Sequence, residues 1–78
     1  MASIRIGLGV AASLDQENEL RRAAVSLPDG WSVDITSNPA VGFDVRVVGP
    51  GLALAKGFAP DGALDAVRYL LAISRNAP

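Results

Sequence analysis

The chain has 78 residues, half of them hydrophobic and 19% charged, with seven basic against eight acidic side chains and a net charge of −1. That hydrophobic share argues against disorder, and the slightly acidic balance argues against a domain held on phosphates by counterion release. Cysteine and histidine are both absent, which removes disulfides, thiol chemistry, Cys/His metal sites and imidazole acid–base catalysis.

A chain of this size makes one domain, residues 1–78. No apolar run approaches the roughly 20 residues needed to cross a bilayer. The opening "MASIRIGLGV" lacks the charged region, apolar core and cleavage site of a signal peptide. The expectation is a soluble, cytoplasmic protein. Its carboxylates are scattered rather than clustered, so neither a metal nor a cofactor is expected.

Residues 3 to 11 alternate with period two, Ile4, Ile6, Leu8 and Val10 against Arg5, Gly7, Gly9 and Ala11, which predicts a strand. Ser13 is placed to cap a helix, with Gln16 completing a capping-box pattern. Leu20, Ala23, Ala24 and Leu27 then follow helical spacing, and Glu17 with Arg21 makes a favourable i,i+4 pair. Pro28-Asp29-Gly30 ends the helix and turns the chain.

"WSVDITS" alternates again, Trp31, Val33 and Ile35 inward against Ser32, Asp34 and Thr36 outward. "NPAVG" is a loop by composition. "FDVRVV" sets Phe43, Val45 and Val47 against Asp44, Arg46 and Val48. Pro50-Gly51 suits a type II turn, and "LALAKGF" returns as a hairpin strand, Leu52, Leu54 and Lys56 against Ala53, Ala55 and Gly57. The last segment predicts a helix with Asp61 as N-cap and Leu64, Val67, Leu70 and Leu71 as its apolar stripe. Arg75 lies in the last turn, where a cation suits the helix dipole. The predicted fold is α+β, a two-layer sandwich in the order β-α-β-β-β-α, with a mainly antiparallel sheet and two helices on one face.

From Asn18 onward this order resembles the double-stranded RNA-binding domain, which runs α-β-β-β-α. The resemblance covers about two-thirds of the chain, through "NEL" in the first helix, Trp31 opening a strand, "FDVRVV" with its turn, and "AKGFA" leading into the last helix. It implies the fold. The family's RNA contacts do not carry over. Its loop usually presents a Gly-Pro-x-His element to the minor groove, and here that loop is Asn38-Pro39-Ala40-Val41. Its last helix begins with a lysine cluster on the phosphates, and the matching positions here are Pro60, Asp61 and Leu64. Duplex RNA is read through phosphates and 2′-hydroxyls, so a carboxylate at that clamp opposes binding.

Several residues invite a chemical role. Gly7 and Gly9 fit G-x-G-x-x-A, yet a nucleotide cradle needs the strand to stop at the first glycine and a helix to start there. The alternation runs on through Val10, and the cap comes only at Ser13. Lys56 is the only lysine, but a catalytic amine needs burial or cationic neighbours, and a lysine at a strand end is ordinarily a solvated edge charge that discourages stray pairing. Asp34 and Asp44 share a face without a cleft, and Arg46 is a cross-strand partner in reach. Trp31 and Tyr69 read as core and rim residues, and the outward positions hold no aromatic platform for single-stranded RNA.

The outer face of the sheet remains. Gly7, Gly9, Asp34, Thr36, Asp44, Arg46, Ala53 and Ala55 would make it flat, with few charges, suited to a protein partner or to self-association. An antiparallel sheet also leaves one face to water with no function attached. The leading expectation is a protein-binding module rather than an enzyme, an accessory subunit or a small inhibitor. In size and composition it resembles the antagonists phages make against host systems, anti-CRISPR proteins among them. The alternative is a degenerate double-stranded-RNA-binding-like domain; nucleic acid is otherwise not an expected partner, nor is a membrane.

Overall fold

The computed structural model describes residues 2–7 and 13–76. The order is β1 Ser3–Ile6, α1 Leu14–Val25, β2 Ser32–Asn38, β3 Gly42–Gly49, β4 Leu52–Phe58 and α2 Ala63–Asn76. The fold is α+β, with a mixed four-stranded sheet in the spatial order β1-β2-β3-β4. β2–β3 and β3–β4 are antiparallel, while β1 runs parallel to β2. Parallel neighbours need a crossover, and α1 is that crossover.

The turns follow from particular residues. Pro28 C=O accepts from the Trp31 N–H at 3.3 Å, closing the turn that Gly30 allows with φ of +88°. In the β2–β3 turn, Asn38 Oδ1 accepts from the Ala40 N–H at 3.1 Å, a side chain standing in for backbone. At the β3–β4 hairpin Gly51 has φ of +71°, while proline fixes a negative φ before it, as a type II turn requires.

The alternation read from β2 and β3 holds. Trp31, Val33, Ile35, Phe43, Val45 and Val47 are buried, and they join Leu20, Ala23, Ala24 and Leu27 with Ala66 and Leu70 of α2 in one core cluster. Ser13 caps α1 as expected, its Oγ accepting from the Gln16 N–H at 3.2 Å. The Arg21–Glu17 ion pair, at 3.8 Å, is exposed enough to count for little. Ser74 Oγ donates to the Ser26 carbonyl at 2.9 Å, tying α2 to the end of α1.

Three expectations need correcting or bounding. The first strand ends at Ile6, and Leu8 to Ala11 lie outside the described residues. Helix α2 begins at Ala63, so Gly62 and not Asp61 precedes it, and the Gly62 carbonyl accepts the Ala66 amide at 3.0 Å. Leu64 is 58% exposed, not part of the stripe, and the buried residues of α2 are Ala63, Ala66 and Leu70. Ala63, Ala66 and Leu70 recur every three to four residues and so share the buried face, whereas Leu64 lies about 100° round the helix from Ala63. No described helix is long and apolar enough to cross a membrane.

Candidate functional site: the outer face of the sheet

Strand register arranges the outward residues in rows across the sheet. Ser3, Ser32, Val48 and Ala53 form one row, and Arg5, Asp34, Arg46 and Ala55 form the next. Thr36, Asp44 and Gly57 form the third. Neighbouring strands stand about 4.8 Å apart, so the middle row sets a cation, an anion and a cation at strand spacing, ending on a methyl group.

Around this row lies a depression of about 490 Å³, lined by Arg5, Asp34, Thr36, Asp44, Arg46, Ala55, Lys56 and Gly57. Of the expected site residues, Asp34, Thr36, Asp44, Arg46 and Ala55 are therefore brought together. Ala53 is exposed in the adjoining row, beside Val48. Gly7 follows β1 directly, and its N–H donates to the Ile35 carbonyl at 2.7 Å. That amide is spent on the sheet, so the phosphate-cradle reading loses its first donor. Gly9 lies outside the described residues.

The charges of the middle row are not consumed internally. Among the described residues the ion pairs are Arg21–Glu17 and Arg68–Asp65, both on helices, and Arg5, Asp34 and Arg46 close none within 4.0 Å. Asp44 is fixed differently, its Oδ2 accepting from Asn38 Nδ2 at 3.0 Å. The side chain that shapes the turn thus also orients the carboxylate. Arg5, Thr36 and Arg46 are exposed, and Asp34 and Asp44 half-buried.

Sequence reasoning left Arg5 and Gly57 out of the face and weighed Lys56 only as an amine. Arg5 alternates with Gly7 onto the outer face, which was signal enough; what alternation could not supply was the parallel register that sets Arg5 opposite Asp34. Gly57 follows from the alternation of β4 in the same way. Lys56 borders the depression, but its Nζ stands 5.5 Å from the Phe58 ring centroid and 5.4 Å from that of Tyr69. It is the fifth of seven residues in β4, short of the strand end, and β4 borders the sheet. Trp31 is core, with Tyr69 packed partly against that core. Phe58 stacks on Phe43 at 5.5 Å and meets Tyr69 of α2 edge-on at 5.6 Å. Burial raises the Tyr69 phenol above its ordinary pKa.

Comparison with protein-family models, with curated proteins and with solved structures finds no match for this chain.

Proposed function

We propose that this chain is a non-catalytic protein-binding module that docks through the outer face of its sheet. The reading takes the molecule as a two-layer sandwich, both helices on one side and the docking face on the other. The observation that carries it is the Arg5–Asp34–Arg46 row, set in register and without internal ion pairs. Exposed charges at fixed spacing give a partner orientation and specificity more than raw affinity. Ala53, Ala55 and Gly57 beside them let a partner's backbone come close. The double-stranded RNA-binding-domain-like order is kept as architecture only, since the start of α2 carries Asp65 in its first turn with Asp61 just before it. Anions at a helix N-terminus satisfy its dipole without help from RNA phosphates.

Affinity capture from the native host tests this, with wild type beside Ala53→Arg and Asp34→Arg. A partner held by wild type and lost by both variants, with unchanged circular dichroism, supports the reading. A partner that both variants retain overturns it. Tight binding of duplex RNA that weakens steeply with salt would favour the nucleic-acid alternative.

A further inference from the structure

We propose that the free edge of β4 accepts an extended acidic–apolar strand from another protein, antiparallel to β4. A carboxylate of that strand would face Lys56, and two aliphatic side chains would enter the groove between β4 and α2. The edge shares Ala53, Ala55 and Gly57 with the outer face, but the occupant's side chains enter on the other side of the sheet. Asp34→Arg, which disrupts the outer face, should therefore leave this binding unchanged.

β4 borders the sheet, and its seven residues contain no proline and pair in unbroken register with β3. Across the two-residue turn the closing pair is Gly49–Leu52. Counting from a hydrogen-bonded closing pair, antiparallel alternation turns the amides of Leu52, Leu54, Lys56 and Phe58 toward β3. The N–H and C=O groups of Ala53, Ala55 and Gly57 then face away from the sheet, and all three residues are exposed and small. Such a row is a template for one more strand. Edge lysines usually guard against this, but the Lys56 ammonium is drawn to the helix side, over Phe58 and Tyr69.

Beside the edge runs a groove of about 270 Å³, lined chiefly by Trp31, Leu52, Leu54, Tyr69, Ala72 and Ile73. In an antiparallel addition, the residue opposite Lys56 comes first, and those two and four positions later stand opposite Leu54 and Leu52. Only these latter two reach the groove, because alternate residues share a face. The occupant therefore reads acidic-x-aliphatic-x-aliphatic.

Charge separates this occupant from a second copy. β4 contains one cation and no carboxylate. Two β4 strands paired about Ala55 would set each Lys56 against Leu54 of the other copy. They would also bring the two lysines into diagonal positions roughly 7–8 Å apart, with no acidic residue between them. A glutamate or aspartate opposite Lys56 removes that conflict.

The test uses a capped peptide, Ser-Glu-Ser-Val-Ser-Val-Ser, titrated into the intact chain. Trp31, the single tryptophan, lines the groove and reports through its emission. A saturable change is expected, with the same peptide carrying lysine in place of glutamate binding about fivefold more weakly. Lys56→Glu, an exposed substitution, should reverse that order. Ala55→Pro should abolish binding with little change in circular dichroism, since the amide it removes is not bonded to β3. Equal affinity for the two peptides, or no saturable response, overturns the proposal. So does self-association by sedimentation that Ala55→Pro abolishes, because a second copy would then fill the edge.

Discussion

The Trp31 indole occupies the space a side chain on Gly49 would need: a Cβ built on Gly49 would lie 2.5 Å from Cε2 of the ring. Trp31 immediately precedes β2 and Gly49 ends β3, so the contact closes one end of the sheet. The glycine is required here by the ring's approach and not by an unusual φ.

Gly49→Ala should therefore destabilise the fold by about 1–3 kcal/mol, the usual cost of overpacking. Urea unfolding followed by Trp31 emission measures it, and the native emission should shift toward that of a wetter indole as the ring is displaced. An unchanged midpoint would mean the ring is not held against Gly49.

Two leucines of α2 look alike in sequence and should behave oppositely. Leu70 is fully buried and Leu64 is 58% exposed. Leu70→Ala should cost about 2–5 kcal/mol as a buried leucine truncation, and Leu64→Ala should stay within about 0.5 kcal/mol. Thermal melts of the two variants side by side decide this.

The pair also marks how much of the fold the sequence disclosed. Strands β2 to β4 were legible because period two and the turn residues Asn38, Pro50 and Gly51 specify hairpins locally. Helix α2 was legible as a helix, but its start was not. Asp61 and Gly62 both precede an apolar run, and that run offers two adjoining stripes, Ala63-Ala66-Leu70 and Leu64-Val67-Leu71, between which only packing decides. The partner of β1 was harder still. A parallel ladder has no tight turn to announce it, and only the helix between two strands hints at the crossover. Because Arg5 stands opposite Asp34 through that ladder, the outer-face row was half visible: Asp34 and Arg46 came from local alternation, and the place of Arg5 beside them needed the tertiary fold.

Asn38 serves the turn and the site together. Its Oδ1 accepts the Ala40 amide and its Nδ2 donates to Asp44. Asn38→Ala removes both bonds, and two modest hydrogen bonds suggest a loss of about 1–2 kcal/mol. For a domain of this size each kcal/mol lowers the melting temperature by roughly 4–8 °C. A melt unchanged within error would show that the Asn38 side chain contributes nothing to closing the β2–β3 turn.

Tyr69 gives the chain an alkaline limit whose sign can be worked out. Burial raises its pKa in the folded state above the ordinary value of 10.0. The unfolded chain therefore releases the phenolic proton first, and between the two values it holds fewer protons than the native state. Stability then falls as pH rises from about 10.0 through the folded pKa, while below the ordinary value the phenol contributes its full share. Lys56 faces the same ring at 5.4 Å, so the phenol is followed by its own signal. Tyr69 is the only tyrosine, which makes phenolate absorbance a direct probe. The native titration midpoint should lie above that of the urea-unfolded chain, and Tyr69→Phe should flatten the alkaline loss of stability. Coincident native and unfolded midpoints would mean that the ring is as wet in the fold as in the open chain.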